Sequence, residues 1–80
     1  MNKRLHRLER IIRYEFNCFN TLCYPKDKAL MLLRHIANLL ERKVRYLYVV
    51  GAISLDEMNF MIQCNNRYYI YYVHIINSLY

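Results

Sequence analysis

Glycine and proline are nearly missing from this chain of 80 residues, which has one of each, Gly51 and Pro25, and no tryptophan. So few turn-formers exclude an all-β domain, which needs turn residues at short intervals. A hydrophobic fraction of 56% excludes a disordered chain. Acidic residues are scarce too: six Asp and Glu stand against twelve Lys and Arg, for a formal charge of +6. That excess points toward nucleic acid, nucleoprotein, an anionic membrane surface or an acidic protein patch. Arg outnumbers Lys, and guanidinium binds phosphate and carboxylate bidentately. A small protein also carries net charge simply to stay soluble.

Cysteine is sparse and odd in number: Cys18, Cys23 and Cys64. An odd set closes no disulfide framework within one chain. On a helix, positions 18 and 23 point about 140° apart, the wrong geometry for a bridge. The expectation is an intracellular, reducing compartment, with the cysteines as small apolar fillers. Long hydrophobic runs are missing as well. The longest candidate, Tyr68 to Ile76, is tyrosine-rich and falls short of the ~20 apolar residues of a membrane span. The opening MNKRLHR leads into an amphipathic pattern rather than the apolar run of a secretory signal. A chain that is neither secreted nor transmembrane is expected.

Helical periodicity is what the chain has. At 100° per residue, Lys3, Arg7, Arg10, Arg13 and Asn17 gather on one side of a first helix. Leu5, Leu8, Ile12, Phe16 and Phe19 gather on the other, so one face docks on the protein and the other meets something anionic. This helix should run from Lys3 to Leu22, broken by Tyr24-Pro25. A second helix opens at Pro25 or Asp27 and carries Ala29, Leu33, Ala37, Leu40, Val44 and Leu47. Arg34, Asn38, Glu41, Arg42 and Arg45 fill its opposite side. The apolar arc is wide enough for two neighbours, which makes this helix central.

The segment Gly51-Ala-Ile-Ser-Leu-Asp-Glu-Met58 is the strongest local signal. Gly51 suits a left-handed helix end. Ser54 and Glu57 have capping-box spacing, and Ile53 and Met58 occupy the positions of a hydrophobic staple. Asp56 and Glu57 place negative charge where the helix dipole favours it. A DNA-reading helix-turn-helix is the competing interpretation of such a corner. Its second helix would begin Leu55-Asp56-Glu57-Met58, however, and two carboxylates repel phosphate. The corner is read as structural. A third helix follows, with Met58, Met61, Ile62, Tyr69, Tyr72, Ile76 and Leu79 on its inner face.

These patterns predict an all-α protein, a single domain over residues 1–80. It is a small three-helix bundle with a long hairpin of the second and third helices and the first packed across it. The alternative is an α+β arrangement with strands near 44–50 and 68–76, both rich in Val, Ile and Tyr. Neither segment alternates cleanly.

Residues for chemistry are few. No nucleophile motif surrounds any cysteine, one glycine cannot build a phosphate-cradling loop, and the carboxylates are scattered. Glu9 with Arg13 and Glu41 with Arg45 have the spacing of ordinary helix pairs. The short Cys and His spacings of a zinc site are missing. No enzyme activity, cofactor or metal is expected.

Two features of the third helix stand out. Asn65 falls in its apolar arc, where a buried Asn can set register or oligomer state, or be satisfied by a tyrosine or backbone partner. Phe60, Cys64, Arg67 and Tyr71 line up along another side with Ile70 beside them. They form a candidate interface strip, for self-association as a homodimer, for a protein partner or for stacking unpaired bases. The bland alternative is that this side is core.

Two functions follow. The first is binding of nucleic acid or a nucleoprotein complex, with Lys3, Arg7, Arg10, Arg13, Arg34, Arg42 and Arg45 neutralising phosphates. The second is a protein-interaction module (inhibitor, adaptor or assembly subunit) acting through Phe60, Cys64, Arg67, Ile70 and Tyr71. Membrane binding by the first helix ranks third, because the core needs the same apolar face. Richness in Asn, Ile and Tyr with little Gly and Ala fits an AT-rich source such as a virus or mobile element.

Overall fold

In the computed structural model, residues 3–18 and 24–79 are described. Three helices account for nearly all of them: α1 (Lys3–Asn17), α2 (Lys26–Val49) and α3 (Leu55–Leu79). Among the described residues there is no strand, and segments 44–50 and 68–76 are helical almost throughout, so the α+β alternative fails. Val and Tyr are poorer helix formers by only about 0.5 kcal/mol per residue, a deficit that the capped corner and the burial of Val44 and Ile76 outweigh. α1 ends at Asn17, short of the expected Leu22, and Phe19, Leu22 and Cys23 lie outside the described residues. Pro25 is the N-cap of α2, with φ −60° and ψ 156°, rather than its first helical residue.

The corner forms as its residues dictate. Gly51 has φ +80°, and its N–H donates to the Tyr48 carbonyl at 3.0 Å while Ala52 N–H donates to Leu47 at 2.9 Å. This is the Schellman pattern, which satisfies carbonyls that the helix end would leave orphaned. Ser54 N–H donates to Glu57 Oε1 at 2.8 Å, and Glu57 N–H to Ser54 Oγ at 3.1 Å, closing the capping box. Ile53 and Met58 are both buried in the core. Arg4 then fastens α1 to the corner, pairing with Glu57 and donating from Nη2 to the Ala52 carbonyl at 2.9 Å.

The core runs between the helices through Leu8, Ile12 and Phe16 of α1, Ala29, Leu33, Leu40 and Val44 of α2, and Met58, Met61, Cys64 and Ile76 of α3. α2 and α3 make the principal contact, and α1 packs chiefly on α3. Phe16 stacks with Tyr68 and Tyr72, ring centroids 5.9 and 5.8 Å away. The two tyrosine hydroxyls reach back to α1, Tyr68 donating to Glu9 Oε1 at 3.2 Å and Tyr72 to Asn17 Oδ1 at 2.8 Å. Aromatic bodies thus fill the seam while their polar tips stay paired. Leu79, expected on the inner face of α3, is exposed near the end of that helix.

Candidate nucleic-acid interface

Because Leu8, Ile12 and Phe16 turn inward, the opposite face of α1 is left to solvent. Lys3, His6, Arg7, Arg10, Arg13 and Asn17 are all exposed on it. Among the described residues, Lys3, Arg7, Arg10 and Arg13 make no ion pair, whereas Arg4 pairs with Glu57 and Arg45 with Glu41. Two open hollows lie along this face. One, of about 210 Å³, is lined by Lys3, His6, Arg7 and Arg10. The second, of about 390 Å³, is lined by Arg7, Arg10, Ile11, Tyr14 and Glu15.

Tyr14 is the residue that sequence reasoning missed. It is 66% exposed, and at 100° per residue it lies between Arg7 and Arg10 in angle, inside the basic stripe. Its spacing from those arginines was the available signal. Hydrogen bonding and charge from the Cys18 side chain push its phenol above the ordinary value. The ring is therefore neutral at physiological pH and brings no repulsion to a phosphate-binding face. Arg4 was missed as well, since its partners lie 53 and 48 residues away and no local pattern marks them.

The α2 cations differ in their surroundings. Arg34 lines a polar hollow of about 260 Å³ between α2 and α3, with Ala37, Asn38, Glu41, Asn65, Asn66 and Tyr69. Arg45 donates from Nη2 to Glu41 Oε1 at 3.3 Å. Arg42 is exposed. Lys43, not singled out in the sequence, shares a hollow of about 230 Å³ with Glu15 of α1 and with Ile36, Leu39 and Leu40.

The strip on α3 divides. Cys64, Arg67 and Tyr71 line a hollow of about 360 Å³ with Glu9 and Tyr68. Arg67, Ile70 and Tyr71 are exposed, but Cys64 is buried (4% exposed) and Phe60 is half-buried against the core. An outward-facing Cys64 and Phe60 are thus corrected, because α1 lies along that flank and extends the core to it. Burial pushes the Cys64 thiol above its ordinary value.

Asn65 is buried, and its Nδ2 donates to the Ala37 carbonyl at 2.9 Å. Its Oδ1 is buried with no partner among the described residues. The bond joins α3 to α2 across the hairpin. Among the described residues, no three His, Cys, Asp or Glu converge as a metal site, and no helix is long and apolar enough to cross a membrane. No family model, curated protein or solved structure matches the chain, so the functional reading rests on its own residues.

Proposed function

We propose that this chain is a non-enzymatic binder of nucleic acid, free or in a nucleoprotein complex, acting through the outer face of α1. The observation that carries the reading is the row of exposed, unpaired cations Lys3, Arg7 and Arg10 along two hollows that share Arg7 and Arg10. Lys3 stands in the first turn of α1 against the helix dipole with no acid in that turn, whereas Arg4 beside it is held by Glu57 and the Ala52 carbonyl. Charge placed against the dipole stabilises no helix, which favours a role in binding. Arg13 extends the row along the helix, and Lys43, Arg34, Arg42 and Arg45 add longer-range attraction. Contacts of this kind are sequence-independent and salt-sensitive. Cys18 and Cys64 are free thiols, consistent with work in a reducing, intracellular compartment.

Fluorescence anisotropy against duplex DNA, single-stranded DNA and RNA over a range of salt tests this. Binding that weakens with salt, and weakens further in Arg7→Ala/Arg10→Ala, is expected. Failure of all three probes at low salt would overturn it.

A second reading, docking of a protein partner or of a second copy, is favoured by the apolar hollow beside Cys64, Arg67 and Tyr71 and by exposed Ile70. Ile70→Ala/Tyr71→Ala would abolish that activity and spare nucleic-acid binding, the reverse of the arginine pair. Phe60 is unsuitable for this test because it packs against the core.

A further inference from the structure

We propose that the α1 hollow of Arg7, Arg10, Ile11, Tyr14 and Glu15 is a seat for one unpaired base, making the ligand class single-stranded nucleic acid. The proposal rests on the reading of α1 as a phosphate-binding face and adds what occupies its centre. Three observations point the same way. The hollow, about 390 Å³, is ample for a single planar base and too open to enclose a whole ligand. Ile11 and the ring of Tyr14 line it and are both exposed among the described residues, so a π-face and an aliphatic side chain are open to water. Aromatic rings flanked by cations are the usual platform for bases of a single strand, because every base has a face to stack.

The charges divide the hollow into two ends. Arg7 and Arg10 also line the neighbouring hollow with Lys3 and His6, so the phosphates on either side of the seated base have cations along the helix. Glu15 borders the hollow from the side of α2, where it also faces Leu39 and Lys43. Its carboxylate repels phosphate but accepts a hydrogen bond from a base N–H. A base at the Ile11–Glu15 end with backbone at the arginine end satisfies both. Duplex DNA offers only its phosphates here, since its base faces are stacked away from Tyr14. The chemistry therefore separates the two: duplex binding uses the arginines alone, and single-strand binding uses the arginines and Tyr14.

The test compares wild type, Tyr14→Ala and Tyr14→Phe on three labelled probes at one moderate salt concentration. The probes are a short mixed-sequence DNA strand, the same strand annealed to its complement, and the same strand made abasic. Tyr14 is a surface residue, so the variants keep the fold, which circular dichroism verifies. Tyr14→Ala should weaken binding to the intact strand about 10-fold, as expected for one lost stacking contact. Duplex and abasic binding should stay unchanged, and Tyr14→Phe should match wild type on all probes. Equal affinities of Tyr14→Ala and wild type for the intact strand would overturn the base seat while leaving the phosphate-binding role standing. So would an equal loss on all three probes. No salt-sensitive binding of wild type to any probe would instead remove the phosphate-binding role itself.

Discussion

Half of the Asn65 carboxamide has no partner among the described residues, and that defect sets the first prediction. Nδ2 bonds the Ala37 carbonyl, while Oδ1 is buried and unanswered, 2% of the residue being exposed. An unsatisfied buried acceptor costs about 1–3 kcal/mol, against about 1 kcal/mol for the bond that would be lost. The Ala37 carbonyl also keeps its partner within α2. Asn65→Leu should therefore raise the melting temperature by several degrees, since about 1 kcal/mol moves a domain of this size by roughly 4–8 °C. Asn65→Asp, which loses the donor and introduces a buried charge, should cost about 3 kcal/mol or more. Thermal unfolding by circular dichroism checks both, and a lower melting temperature for the leucine variant would contradict the account. That Asn65 is buried follows from its place in the apolar arc. That its partner is Ala37 does not, because a helical wheel gives direction and not what stands opposite. Cys64 shows the same limit: its angle lies at the edge of the arc, and only the position of α1 brings that edge into the core.

The α2–α3 corner is the element whose whole mechanism is local, and it was readable residue by residue. Gly51 at φ +80° has nothing within 4 Å of a built Cβ, so substitution there meets conformational strain alone. Gly51→Ala should cost about 1–2 kcal/mol, the penalty of an L-residue in the left-handed region, measured as a lower denaturant midpoint. Glu57 adds a pH dependence. Its hydrogen bond from the Ser54 backbone, then Arg4, holds its carboxyl below the usual glutamate value. A lowered folded-state pKa contributes stability that is present above the unfolded value and lost as pH falls through the folded one. Stability should decline on acidification through that window, and Glu57→Gln should flatten this part of the profile. An unchanged acid limb in Glu57→Gln would show that the carboxylate is not held by the corner. Arg4 is the part no sequence pattern gives, since it joins the start of α1 to corner residues 48 and 53 positions away. The two faces of α1 were readable for the same reason as the corner: both depend on spacings of a few residues along one segment.

At the scale of the whole molecule, three helices form an elongated body of 40 × 24 × 16 Å with a radius of gyration of 13.5 Å. A body this thin buries a modest core, and the seam of Phe16, Tyr68 and Tyr72 holds α1 where its basic face looks outward. The distribution of charge was only partly readable. Composition establishes the excess of +6, but which cations share a surface depends on packing. Arg45 pairs with Glu41 on α2, while Lys3, Arg7 and Arg10 share the α1 face with no ion pair among the described residues. The central claim is that this α1 face binds phosphate. Its most direct test is the slope of log affinity against log salt for a labelled single strand, in wild type and in Arg7→Ala/Arg10→Ala. Each phosphate contact to a single strand contributes about 0.7 to the slope, so the double variant should be shallower by about 1.4. An unchanged slope and affinity in the variant, or no salt dependence in wild type, would contradict the account.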